Sequence, residues 1–157
     1  MKTEALLEAF SRVCPDHAFE AHTMPIAETV IGVPPACLKA VVACLSSKFA
    51  VHHLSTITGQ DTGTELELLY HFWQEGGLTL RVVLSYDDAR IESLTDAIPG
   101  ADFYELETAE MLGVKFEGHP TLVGEEEEGF GHFLLPEDWR PGPAPMRKDR
   151  TPEEDRT

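Results

Sequence analysis

The chain has 157 residues, 42% of them hydrophobic, and its 12 Lys and Arg against 28 Asp and Glu leave a formal charge of −16. That length is about one domain's worth, and so ordinary a composition excludes a globally disordered or fibrous chain. The charge repels phosphate backbones and anionic headgroups, and it excludes nucleic-acid or membrane-surface binding unless a basic patch overrides it. Arg147, Lys148, Arg150 and Arg156 form no such patch, because Asp149, Glu153, Glu154 and Asp155 interleave with them.

In chain order, Leu6, Ala9, Phe10 and Val13 recur at helical spacing over residues 4–13, with Thr3 as an expected cap and Pro15-Asp16 as a stop. Thr29, Val30 and Ile31 predict a short strand closed by Gly32. Pro34 and Pro35 suit a helical first turn, and Leu38, Val41, Val42 and Leu45 continue it to about Lys48. A strand is expected from Phe49 to Ile57, ending at Thr58-Gly59. Alternation is clearest next. Leu66, Leu68, Tyr70 and Phe72 oppose Glu65, Glu67 and His71, and after a Gly76-Gly77 turn Leu78, Leu80, Val82 and Leu84 oppose Thr79, Arg81 and Ser85. Period-two alternation broken by glycine turns predicts an antiparallel meander with one buried face, and helices on either side predict a two-layer α+β domain.

Ile91, Leu94, Ala97 and Ile98 then read as a short helix cut by Pro99-Gly100. A second helix is expected from Ala101 to Leu112, with Phe103, Leu106, Ala109 and Leu112 inward, Glu105, Glu107 and Glu110 exposed, and Gly113 as its C-terminal cap. Residues 113–145 are punctuated by Gly and Pro yet keep Phe116, Leu122, Phe130, Phe133, Leu134, Leu135 and Trp139. Such a segment reads as an irregular arm lying against its own domain or a partner. The expected organisation is a core over 1–112, an arm over 113–145 and a charged tail over 146–157.

Chemistry is sparsely signalled. No apolar run reaches the roughly 18–20 residues of a bilayer span, and the N-terminus lacks the pattern of a secretory signal, so a cytoplasmic location is expected. Cys14, Cys37 and Cys44 are odd in number and lack C-x-x-C spacing. They predict small core residues in a reducing compartment rather than a disulfide framework, Cys37 and Cys44 sharing a helix face. His52 or His53 with His71 and Asp61 is a conceivable metal set for a free-standing metal-dependent enzyme, although adjacent strand residues point to opposite faces. Glu125 to Glu128 reads as a solvated loop rather than a cation site. Glu107 and Glu110 share a helix face and raise the question of paired carboxylates. No nucleotide-binding glycine motif, G-x-S-x-G or H-E-x-x-H is present.

The stretch Glu105-Leu-Glu-Thr-Ala-Glu-Met-Leu-Gly-Val-Lys-Phe-Glu-Gly-His-Pro120, then Phe133-Leu-Leu-Pro-Glu-Asp-Trp139 and Met146-Arg-Lys-Asp149, resembles the 30 kDa subunit family of respiratory complex I (NADH-quinone oxidoreductase), which includes counterparts in membrane-bound NiFe hydrogenases. The family pattern resembles E-R-E-x-x-D-x-x-G-I-x-F-x-G-H-P followed by L-L-P-E-D-W. Here Leu106 replaces the usual arginine and Glu110 the usual aspartate. With His53-Leu-Ser-Thr-Ile-Thr-Gly59, those departures lean toward the hydrogenase-type branch over a NADH- or ferredoxin-quinone oxidoreductase. The resemblance implies a non-catalytic scaffold without its own cofactor, attached to the inner face of the membrane only through its complex. NiFe or quinone and iron–sulfur clusters would belong to a large catalytic subunit and iron–sulfur subunits. It also implies partner contact through Glu105, Glu107, Glu110, Phe116, His119, Pro120, Phe133, Leu135 and Trp139, with packing on the chain's own sheet as the alternative for the aromatic anchors.

Overall fold

The structure, a computed structural model, describes residues 2–25, 28–74, 76–122 and 144–148. Helix α1 (Thr3–Val13) is followed by β1 (Ala21–Thr23), β2 (Glu28–Gly32), a 3-10 turn (Pro35–Cys37) and α2 (Leu38–Phe49). Then come β3 (Leu54–Asp61), β4 (Glu65–Trp73), β5 (Gly77–Ser85), β6 (Arg90–Glu92), α3 (Ala101–Leu112) and β7 (Lys115–Glu117). The first five strands form one sheet in the order β1-β2-β5-β4-β3, and β6 pairs with β7.

The predicted meander is β3-β4-β5, antiparallel throughout. Strand β2 adds to it in parallel with β5, so the α+β sheet is mixed. Chain connectivity explains this. Helix α2 carries the chain from β2 on one side of the meander to β3 on the far edge, a β-α-β crossover whose two strands are split by β5 and β4.

Alternation places Leu66, Leu68 and Tyr70 at 0% exposure on the inner face, with Leu80 and Val82 beside them. Leu6 and Phe10 of α1, Val41 and Leu45 of α2, and Ala109 and Leu112 of α3 complete one core. Helix α3 lies very close to the sheet at Gly59. A Cβ built there would stand 2.5 Å from Leu112 Cδ1 and 3.2 Å from Thr108 Cγ2. Gly59→Val is therefore expected to destabilise the chain by about 1–3 kcal/mol through overpacking, read as a lower urea midpoint with unchanged slope. An unchanged midpoint would mean that α3 moves aside without cost.

Several expectations need correcting. Thr3 is the first helical residue of α1 and makes no side-chain cap. Helix α2 extends to Phe49 and ends where Ala50 takes a left-handed conformation (φ 54°), so the strand begins at Leu54 and not at Phe49. The segment containing Ile91 is a strand because β7 supplies a partner far along the chain, Ile91 pairing with Phe116. The same pairing puts a strand inside the segment expected to be irregular. Val114 and Phe116 are buried at 0% and 4%, so core packing continues beyond Leu112.

The cysteines are corrected too. Cys37 and Cys44 are buried as expected, but Cys37 is disulfide-bonded to Cys14, 23 positions earlier. Cys14 follows the last turn of α1, and packing of α1 against α2 brings the two Cα atoms to 6.1 Å, within the span a disulfide bridges. Cys44 remains a free buried thiol.

Candidate functional site

Helix α3 carries the acidic motif, and the fold rotates that helix away from the expected orientation. Glu105 is completely buried and Glu110 is 5% exposed, whereas Phe103, expected inward, is 56% exposed. Only Glu107 of the three glutamates lies on the surface. The expected exposed acidic face is thus corrected for Glu105 and Glu110.

Hydrogen-bond donors from another segment explain the burial of Glu105. The Ser93 hydroxyl donates to Oε2 at 2.7 Å, and the Leu94 N–H donates to Oε1 at 2.8 Å. Both donors lie just after β6, so the carboxyl ties the β6 exit to α3. Burial pushes the Glu105 carboxyl up to about 7, against the pull of those two bonds, and the nearby Asp102 and Asp96 carboxylates add to the rise.

His119, fully buried, closes the other side of the cluster. Its Nδ1 accepts the Thr121 N–H at 3.2 Å, which places the proton of the neutral ring on Nε2. Nε2 lies 3.3 Å from Asp102 Oδ1 and 4.0 Å from Glu105 Oε2. Two blocks of the sequence motif, the glutamates and the Gly-His-Pro, therefore meet in space, and their side chains hold α3 to the segment after β7. Below them is Tyr70, whose hydroxyl is buried with no hydrogen-bond partner among the described residues. Its phenol is pushed well above the usual range by burial, reinforced by the Glu105 charge. Tyr70→Phe removes an unpaired polar atom while keeping the ring. It is expected to leave stability unchanged or raise it by about 1 kcal/mol, measured by chemical denaturation. A clear loss would mean that the hydroxyl has a partner in solution.

The remaining candidates separate into three groups. Phe116 packs in the chain's own core, pairing through β7 with Ile91, and with His119 it takes the alternative of packing within its own chain. Pro120 and Glu107 are exposed. Phe133, Leu135 and Trp139 lie outside the described residues, as do Glu125 to Glu128.

The histidine–aspartate metal set does not converge. His52 Nδ1 lies 2.8 Å from Ser46 Oγ. His71 Nδ1 lies 2.8 Å from Thr79 Oγ1, which donates in turn to Glu28. Asp61 ends β3, about 25 Å along the strand from His53 at ~3.3 Å per residue, and accepts hydrogen bonds from Tyr86 Oη and the Gly63 and Lys148 N–H groups. Each candidate ligand serves a different local structure, and among the described residues no group of three or more His, Cys, Asp or Glu is placed to hold a metal ion. Sequence reasoning missed Ser93, which holds the buried carboxyl, because a lone serine in a turn carries no signal of its own.

The sequence profile of the family described as "Respiratory-chain NADH dehydrogenase, 30 Kd subunit" matches residues 31–156. The chain belongs to that family. It is 36% identical over 104 residues to the family's NADH-quinone oxidoreductase protein from Roseiflexus castenholzii, a match covering 62% of this chain and 54% of that protein. The chain thus spans about half the length of this 30 kDa-family relative.

Among solved structures, the Nqo5 trypsin-resistant fragment superposes with a TM-score of 0.63 at 24% identity, covering 76% of this chain and 98% of that one. A chain of the membrane-bound sulfane sulfur reductase, an archaeal respiratory membrane complex, superposes with a TM-score of 0.64 at 21% identity, covering 79% and 75%. Both share the 30 kDa-family fold described above. Among the described residues no helix is long and apolar enough to cross a membrane.

Proposed function

We propose that this chain is a hydrophilic, non-catalytic subunit of a membrane-bound, complex I-like oxidoreductase, docked on the large catalytic subunit and neighbouring iron–sulfur subunits. The family match over residues 31–156 carries this reading. The chemistry of the motif supports it. Glu105 and His119 are the groups best suited to acid–base work, yet they are buried and occupied in holding α3 to the segments after β6 and β7. Nothing in that arrangement opens them to a substrate. The exposed Glu107 and Pro120, together with Phe133, Leu135 and Trp139, would face the partners, and the electron-carrying groups would reside in those partners. Attachment to the inner face of the membrane would come through the complex.

Two branches share this architecture. Leu106 and the His53–Gly59 wording favour a hydrogenase-type assembly with a NiFe large subunit. The NADH-quinone oxidoreductase relative from Roseiflexus castenholzii favours a quinone-type one. The test is a gentle-detergent pull-down of the tagged chain from its native membranes, followed by mass spectrometry. Co-recovery of a large subunit with iron–sulfur subunits is expected, and the large subunit's metal-ligating cysteines would assign the branch. Recovery of this chain alone, monodisperse, would overturn the reading.

A further inference from the structure

A groove of about 260 Å³ runs between β3 and α3, with Thr56, Gly59, Glu107, Met111 and Met146 along it. Strand β3 is the edge of the five-stranded sheet, so one row of its backbone N–H and C=O groups has no neighbouring strand. The two ends of that edge are tied off. Tyr104 Oη donates to the Ser55 carbonyl at 2.8 Å, and the Lys148 N–H donates to Asp61 Oδ2 at 2.6 Å. Met146 is held over the groove by its N–H, which donates to the Met111 carbonyl at 2.9 Å, and its side chain is 62% exposed.

Glu107 supplies the charge of the groove. It is exposed and makes no hydrogen bond or ion pair among the described residues, unlike Glu67, which pairs with Arg81. The two methionines offer deformable apolar walls that adjust to varied side chains. An edge strand, an unpaired carboxylate and thioether walls suit an extended peptide whose backbone adds along the edge and whose side chain brings a cation.

We infer that this groove receives an extended segment of the large catalytic subunit bearing an arginine or lysine, which adds along β3 and sets its cation against Glu107. The inference rests on the proposed function and specifies where that partner docks. The chain's net charge of −16 favours such a basic segment over a second copy of the same acidic chain.

The experiment places a photoreactive benzoylphenylalanine at Met146 in the tagged full chain, irradiates native membranes and maps the adducts by mass spectrometry. Trp73, 65% exposed and beyond the groove, carries the probe as a control. The Met146 probe is expected to label a large-subunit peptide containing an arginine or lysine, and the Trp73 probe is expected not to label it. Glu107→Lys should lower the adduct yield by about tenfold, while Glu107→Asp retains it. Adducts confined to this chain or to a second copy would overturn the inference. So would a labelled peptide without a basic residue, equal labelling from Trp73, or an adduct indifferent to Glu107→Lys. If the unmodified chain co-purifies with the large subunit but the Met146 probe gives no adduct, the groove assignment alone fails. If the unmodified chain co-purifies with nothing, the proposed function fails as well.

Discussion

Glu105→Ala is expected to destabilise the chain by about 3 kcal/mol near neutral pH, because it opens a cavity under α3 and strands the Ser93 hydroxyl and the Leu94 N–H, both bonded to this carboxyl. In a chain of this size that corresponds to a melting temperature lower by roughly 6–12 °C. Glu105→Gln keeps the volume and an acceptor for Leu94 but cannot ionise, so it separates packing from charge. The wild-type pH dependence has a definite sign. The folded-state carboxyl titrates at about 7, above the 4.5 of an ordinary glutamate, so the folded chain holds a proton that the unfolded chain releases between those values. This contribution is fully present below about pH 4.5 and is lost as pH rises through about 7, costing the wild type up to a few kcal/mol by pH 8. Glu67, held below its ordinary 4.5 by the Arg81 guanidinium, acts in the opposite sense and at more acid pH. Urea midpoints from pH 5 to pH 8 should therefore fall in the wild type and stay level in Glu105→Gln. Parallel curves would mean that Glu105 stays ionised throughout.

Cys14→Ser carries the second large effect. The bond it removes closes a loop of 23 positions between α1 and the turn before α2, and its loss is expected to cost about 2–4 kcal/mol under non-reducing conditions. Wild-type protein treated with dithiothreitol should fall to the same melting temperature as the variant, with no further change in the variant itself. Thiol counting gives an independent check. Denatured but unreduced wild type should expose a single reactive thiol, Cys44, and three after reduction. Three thiols before reduction would mean that the pair is open in solution, and the variant should then melt with the wild type.

Both predictions involve residues that the sequence describes incompletely. The alternation from Leu66 to Leu84 marks the buried face of β4 and β5 because side chains of a strand alternate by geometry, whatever surrounds it. Helices α1, α2 and α3 declare themselves by spacing and, at α3, by Gly113, whose left-handed φ of 69° ends it. The face that α3 buries is a different matter. Phe103 and Leu106 look like the inner stripe, but hydropathy does not register that Ser93 and Leu94 offer two donors to Glu105, and those donors offset the cost of burying it. A carboxyl turns inward only where another segment completes its hydrogen bonds.

The motif from Glu105 to Pro120 was legible as a string, and the family match bears out the membership it implied. The string could not say that Glu105 and His119 meet, nor that Glu107 alone of the three glutamates remains at the surface. The metal reading of His52, His53, His71 and Asp61 rested on residue type, and register separates the candidates along β3 and β4. Taken by itself, the sequence determined the local periodicities, the α+β class and the family, all properties of neighbouring residues or of contiguous motifs. Only the tertiary structure decided the parallel seat of β2 beside β5, the Cys14–Cys37 pairing, the inward turn of Glu105 and the groove along β3. Each depends on segments far apart in the chain whose meeting is set by packing, and packing leaves no mark in the local pattern of either segment.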